Sequence, residues 1–278
     1  MQLAGLEQSI SKAIPHIFRR PLLSVRKSDS MLQVATFLAI GPEIYVDGLV
    51  VIDDDQRPLG TIGGQHLMQH ILYHEDKWLE YDASSIMSSF ASTIESSAQL
   101  SSALEIFAKT KFAFCPISIN GKVLTVLSLR DTLKLVAMSG LNKKARDLAS
   151  QLISIDSDAS IGTAIETMLN NSIRNVAIRE DIDKNVITIL NDRKILEFLL
   201  SYEGRRVMES RGINGLFDTR ASVIYVPPAV QVSGDTPATS AAELFSVKVP
   251  ALTIKDEGES IVTPWDIVMK GFRNWAFS

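Results

Sequence analysis

Four stretches of the sequence decide the fold: 57–72 (RPLGTIGGQHLMQHIL), 122–137 (KVLTVLSLRDTLKLVA), 185–200 (NVITILNDRKILEFLL) and 259–272 (ESIVTPWDIVMKGF). In each, a short apolar run gives way to a polar turn of three or four residues. Apolar residues at helical spacing follow. The last polar residue before each helix is His66, Asp131, Lys194 and Asp266, at intervals of 65, 63 and 72 residues. A pattern recurring at such a period marks a repeat architecture.

A second landmark lies upstream of each stretch. An Ala inside a helical pattern stands at Ala35, Ala103, Ala164 and Ala242. Between the two landmarks sit two apolar strands and a turn. Repeat one reads GLVVI, DDDQRP, LGTI, and repeat two reads PISI, Asn120-Gly121, VLTVL. Repeat three reads NVAI, REDIDK, NVITIL, and repeat four reads ALTI, KDEGE, SIVT. Asn-Gly between apolar runs is a strong hairpin signal, because both turn residues must take positive φ. Each unit therefore reads helix, strand, strand, helix, at about 19–77, 82–140, 145–202 and 218–275. The expected fold class is α/β. A unit of this size buries little surface alone. Pairing through the sheets gives two tandem modules, 1–140 and 141–278. Residues 1–18 read as a short amphipathic helix packed on the first module. The stretch 203–222 reads as irregular.

The length of 278 residues suits about two domains. Apolar residues make up 46% and charged residues 22%, values typical of a globular chain. A net charge of −4 argues against a dedicated nucleic-acid binder, which ordinarily carries excess Lys and Arg. One Cys rules out an intramolecular disulfide and a Cys-rich zinc site. Neither a signal peptide nor a run of about 20 apolar residues is present, so a cytoplasmic protein with no membrane partner is expected.

The strand, the (Ser/Thr)-x-x-Asp turn, the following helix, the Pro-led strand and the upstream Ala helix together resemble the CBS motif, named for cystathionine β-synthase. Four motifs in one chain resemble the gamma subunit of AMP-activated protein kinase and the stand-alone four-motif proteins of prokaryotes. The resemblance implies that motifs pair into Bateman modules. It further implies that clefts between motifs bind an adenosyl ligand: AMP, ADP, ATP or S-adenosylmethionine. The family's helix-start pattern is Gly-apolar-apolar-(Thr/Ser)-x-x-Asp. Repeat two supplies Ser128 and Asp131, with Thr125 at the Gly slot, and repeat four supplies Thr263 and Asp266. Repeat one keeps Gly60 but has Gly63 and His66 in the other slots, and repeat three has Asn191 and Lys194. The strand-starting Pro is Pro116 and Pro250 in repeats two and four, against Asp47-Gly48 and Asn175 in repeats one and three. By this comparison repeats two and four are binding-competent, and repeats one and three are degenerate.

The residue types suit that role. A carboxylate accepts from both vicinal hydroxyls of a ribose, which Asp131 or Asp266 can do. A helix N-terminus favours a phosphate. Ser128 or Thr263 adds a hydroxyl there, and Arg130 adds a cation. Cys115-Pro116 and Val249-Pro250 can wall an adenine slot, and Trp265 can stack or simply pack. The plainer reading is local. Ser-x-x-Asp is close to a capping box, which stabilises a helix by about 1 kcal/mol without any ligand.

Other groups carry less. His66, His70 and His74 stand at i, i+4 and i+8, a polar helix stripe or a two-His metal pair, and no metal is assigned. Cys115 lies in an apolar strand with no base near it in sequence, so it reads as core. Asp53–Asp55 reads as a hairpin turn. Lys143, Lys144 and Arg146 sit at the expected junction between modules. Arg205, Arg206 and Arg211 form the best basic patch. No catalytic motif occurs. The expected function is non-enzymatic: regulatory sensing of an adenosyl ligand, with no catalytic cofactor, a regulated protein partner and room for a homodimer. The alternative is a non-catalytic scaffold or interaction subunit of a larger enzyme or transporter, and nucleic-acid binding at 205–211 is a third reading.

Overall fold

The computed structural model describes residues 5–39, 47–88, 92–179, 187–246, 248–255 and 259–272. A short helix α1 (Ile10–Ala13) and a 3-10 turn (Pro15–Arg19) open the chain. Repeat one follows as β1 (Ser24–Val25), α2 (Met31–Ala39), β2 (Gly48–Ile52), β3 (Pro58–Gly63) and α3 (Gly64–His74). Repeat two is β4 (Ile94–Glu95), α4 (Leu100–Thr110), β5 (Phe114–Ile119), β6 (Lys122–Ser128), a 3-10 turn (Leu129–Thr132) and α5 (Leu133–Ala137). Helix α6 (Ala145–Leu148) and β7 (Ser150–Gln151) lead into repeat three: β8 (Ser154–Asp156), α7 (Ile161–Asn170), β9 (Asn175–Arg179), β10 (Ile187–Asn191) and α8 (Asp192–Leu200). Helix α9 (Tyr202–Phe217) precedes repeat four: β11 (Val230–Val232), α10 (Ala238–Leu244), β12 (Leu252–Ile254), β13 (Ser260–Val262) and a π-helical turn (Asp266–Lys270).

Each repeat has the α/β order read from the sequence, preceded by one short strand that the sequence pattern does not reveal. That strand pairs parallel with the second strand, which pairs antiparallel with the third. The Asn-Gly turn behaves as expected: Asn120 and Gly121 join β5 to β6 with φ of 53° and 76°. The expected turns at 179–184 and 255–259 lie largely outside the described residues.

Helices α2, α4 and α7 bury the same face. They present Met31-Val34-Ala35-Leu38, Leu100-Ala103-Leu104-Phe107 and Ile161-Ala164-Ile165-Met168, at i, i+3, i+4 and i+7. The repeat-marking Ala is the small residue of each face, and Ala242 is likewise buried in α10. These faces meet across repeats. One core joins repeats one and three, with α2 and α3 against α7 and α8. A second joins repeats two and four, with α5 against α10. A smaller cluster of Leu152, Ala177, Ile189, Ala251 and Ile261 lies between the sheets of repeats three and four. Strand β7 also adds to the edge of β13. The sheets of repeats one and two approach so closely at Gly48 that a Cβ there would collide with the Phe114 ring.

Two expectations need correction. Among the described residues, the amphipathic helix expected over 1–18 is split into α1 and the 3-10 turn, because Pro15 has no N–H to continue an α-helix, and residues 1–4 of that expectation lie outside the described residues. Its apolar face, Ile10, Ile14 and Ile17, packs into the core of repeats two and four. The stretch 203–222 is mostly helical rather than irregular. Ser201 accepts from the Gly204 N–H and caps α9, and the helix breaks at Gly212, whose φ is 69°. The Asp76 carboxylate from repeat one accepts from the Ile213 N–H at 2.6 Å and restarts it.

Phe107 is fully buried in the core that repeats two and four share. Phe107→Ala should cost about 3–5 kcal/mol. Urea unfolding followed by circular dichroism should show one transition moved to lower denaturant, since neither repeat keeps an intact core alone.

Candidate functional site

The four repeats converge on a cavity of about 540 Å³. Repeat four contributes Pro250, Ile261, Thr263, Trp265 and Asp266, and repeat two contributes Lys111, Phe112 and Arg130. Repeat one contributes Asp47 and the start of α3, Gly63 to His66, and repeat three contributes Arg174, Asn175, Asn191 and Asp192.

Of the residues singled out from sequence, Arg130, Pro250, Thr263, Trp265 and Asp266 line the cavity, whereas Cys115, Pro116, Ser128, Asp131 and Val249 are not among its lining residues. Asp266 is buried, and its Oδ2 accepts from the Thr263 N–H at 2.9 Å and the Thr263 hydroxyl at 2.6 Å. Its Oδ1 accepts from the Ser150 hydroxyl at 2.7 Å and meets Lys270 Nζ at 2.8 Å. Arg130 Nη1 donates to the Ser246 carbonyl at 3.1 Å.

Asp131 has a different setting. Arg20 donates to both of its oxygens, Nη1 at 2.9 Å and Nη2 at 2.7 Å, and His16 Nε2 lies 3.5 Å away. Asp131 also accepts from the Ser128 N–H at 2.8 Å, while the Ser128 hydroxyl accepts from the Arg130 N–H at 3.1 Å. That is the capping box of the plainer reading, formed in full. The chain segment before repeat one thus lies across the side of repeat two where Asp131 stands. Thr125 donates to the Ile17 carbonyl at 2.9 Å, and Arg20 Nη2 donates to the Val126 carbonyl at 2.7 Å. Cys115 is core: it is almost fully buried, and burial pushes its thiol pKa far up, which disfavours the thiolate. Val249 is half-buried beside the core of repeats two and four.

The polar centre comes from the two repeats that the sequence comparison treats as degenerate. Arg174 donates Nε and Nη2 to Asp192 at 2.8 and 3.2 Å, and Nη1 to Asp47 at 2.9 Å. Asp47 also accepts from the Ser128 hydroxyl. Both carboxylates are only 4% exposed. Helix α3 starts at Gly63 with no side-chain cap, and a Cβ on Gly64 would collide with the Asp192 carboxylate. Asn191 is different: it caps α8 by accepting from the Lys194 N–H at 2.9 Å. The signal for this half of the site was the alignment itself. Gly63, His66, Asn175 and Asn191 occupy the helix-start and strand-start slots, and Arg174 and Asp192 adjoin them.

The His stripe is partly buried. The His66 ring meets Phe112 edge-on at 5.1 Å, and His70 lies against His74 at 4.2 Å and Tyr81 at 4.7 Å. Burial lowers the pKa of His66, and burial together with the neighbouring His74 lowers that of His70. Among the described residues, no group of three or more His, Cys, Asp or Glu is placed to hold a metal ion. Among them, too, no helix is long and apolar enough to cross a membrane.

With this geometry in view, residues 145–201 match the family model described as the CBS domain. The third repeat is a CBS domain. Its helix-strand-strand-helix order is shared by the other three repeats, and the fold is that of tandem CBS-domain proteins. A crystal structure from Methanocaldococcus jannaschii, of a protein put forward as an archaeal homologue of the AMPK gamma subunit, superposes with a TM-score of 0.77 at 16% identity. It covers 90% of this chain and 96% of that one. An uncharacterised conserved protein from Pyrococcus horikoshii gives 0.55 at 12% identity, covering 82% and 92%. A shorter structure, CBSX2 in complex with AMP, aligns over 47% of this chain and 97% of its own, with a TM-score of 0.38 and 20% identity. No curated protein sequence matches the chain at a significant level.

Two outcomes follow from the CBS-repeat centre. Arg174→Met strands two buried carboxylates and should cost about 3–5 kcal/mol, read as a lower urea midpoint. His66 and His70 hold fewer protons folded than unfolded just below pH 6.5, so stability should fall as pH drops through that region. His66→Gln should flatten that fall in urea titrations at pH 7.5 and 5.5.

Proposed function

We propose that the chain is a non-catalytic regulatory sensor of an adenosyl ligand, bound in the central cavity. The cavity at the junction of all four repeats carries this reading. Its volume of about 540 Å³ lies within the ~300–1,000 Å³ typical of small-molecule sites. Trp265 and Pro250 offer apolar faces for a base. The Thr263–Asp266 segment offers a hydroxyl and a carboxylate for a ribose, with the Ser150 hydroxyl giving way to those of the sugar. The uncapped start of α3 and the side chains of Lys111 and Arg130 supply the polar half.

The chain is organised in this reading as two modules, 1–140 and 141–278. A ligand in the cavity touches both. It stabilises one packing of repeat against repeat, and that shift in population alters the surface offered to a regulated partner. One observation favours a scaffold reading for part of the molecule: Asp131 is already engaged by Arg20 and by its own cap. The proposal therefore places the ligand on the repeat-four side and not at Asp131.

A thermal-shift panel of AMP, ADP, ATP, S-adenosylmethionine and GMP tests this. An adenosyl compound at 100 times its dissociation constant should stabilise by about 2.7 kcal/mol, a rise of several degrees in Tm. Trp265→Ala should weaken binding at least tenfold by calorimetry, and Asp131→Asn should leave it unchanged. No shift with any adenosyl compound, in protein free of co-purified nucleotide, would sink the reading.

A further inference from the structure

The charges around the cavity discriminate among adenosyl ligands. Its described lining holds three cationic side chains, Lys111, Arg130 and Arg174, and three carboxylates, Asp47, Asp192 and Asp266. Burial holds the His66 pKa down, so that ring adds no positive charge at neutral pH. Lys270 pairs with Asp266 from outside that lining, so the whole set carries a single net positive charge, far short of the charge of an adenine polyphosphate.

The arrangement sharpens the balance. An anion is most favoured at the start of α3, where backbone N–H groups and the helix dipole point into the cavity. Asp192 from repeat three already lies against that start, tight to Gly64. The guanidinium that neutralises Asp192 is shared with Asp47, through three hydrogen bonds of 2.8, 3.2 and 2.9 Å. Across the cavity, Asp266 is held by Lys270 at 2.8 Å. A chain of phosphates entering here meets carboxylates on two sides, and the most central cation is already engaged with acids of the protein itself. Like charges at close range in a partly buried site repel strongly.

We propose that the cavity takes an uncharged or zwitterionic adenosyl ligand, such as a nucleoside or a 5′-thio derivative, and rejects adenine polyphosphates. Asp192 is the internal anion that excludes them. This inference rests on the adenosyl reading above and narrows it.

Calorimetry on the full chain at fixed ionic strength, with adenosine, 5′-methylthioadenosine, AMP, ADP and ATP, tests it. The dissociation constant should rise with each phosphate and be at least tenfold larger for ATP than for 5′-methylthioadenosine. Asp192→Asn keeps the shape and removes the charge. It should tighten ATP at least fivefold relative to any change it makes in 5′-methylthioadenosine binding. ATP binding as tightly as the thio-nucleoside to the unmodified protein overturns the inference while leaving the adenosyl reading in place. Unchanged ATP affinity in Asp192→Asn removes Asp192 from its role. Should that variant fail to fold, the ranking on the unmodified protein decides alone. Absence of binding by all five compounds overturns the adenosyl reading, and this inference with it.

Discussion

Arg174 holds two buried carboxylates that come from different repeats, Asp192 from its own and Asp47 from repeat one. Asp47 passes the connection on to Ser128 of repeat two. Three repeats are thus tied through one guanidinium in the wall of the cavity. Taking such charges out of water costs several kcal/mol per ion unless each is paired and hydrogen-bonded. Apolar packing at the centre would have avoided that cost. A charged centre instead fixes a register: shifting repeat one against repeat three leaves an acid or the guanidinium unpaired, so alternative packings of these repeats are strongly disfavoured. The same groups leave polar walls around an open volume, which an apolar plug would have filled.

The helices explain why the repeats meet there at all. A unit of two helices on a three-stranded sheet has more apolar surface than it can bury alone. The Met31, Leu100 and Ile161 helices each present one apolar stripe, and the stripes of repeats one and three, and of two and four, close on each other. The sheets of repeats three and four then meet through the smaller cluster around Ala177 and Ile189. Packing partners so alternate between helix contacts and sheet contacts, and the helix starts are drawn together at the middle.

Much of this was legible in the sequence, and the reasons are specific. The Ala landmarks work because a small residue lets the stripe approach its partner, so its position cannot drift. Asn120-Gly121 works because a two-residue turn with both φ positive admits few other pairs. The first strand of each repeat was not legible. It has two or three residues, too few for a period, and it is a strand only because the second strand lies beside it. Helix α9 is hidden in the sequence because Gly and Arg mask its pattern, while the group that restarts it, Asp76, is more than a hundred residues away in sequence.

The site was half legible, for a physical reason. Comparing each repeat with a motif identifies residues that would serve a ligand if the cleft were empty. It does not show what the rest of the chain puts there. Asp131 fits the motif, yet the fold brings Arg20 onto both of its oxygens, and the carboxylate serves the capping box and an ion pair. Asn175, Asn191 and Gly63 depart from the motif, yet they stand at the same structural slots and face the cavity because slot position, not residue identity, sets where a side chain goes. Departure from the motif at those slots changes the character of the cavity and does not remove it. Repeat four retains the hydroxyl and acid, repeat one an uncapped helix start, and repeat three the acid that faces that start. Four unequal quarters of a repeated frame thereby line one asymmetric cavity, each side with a different chemistry.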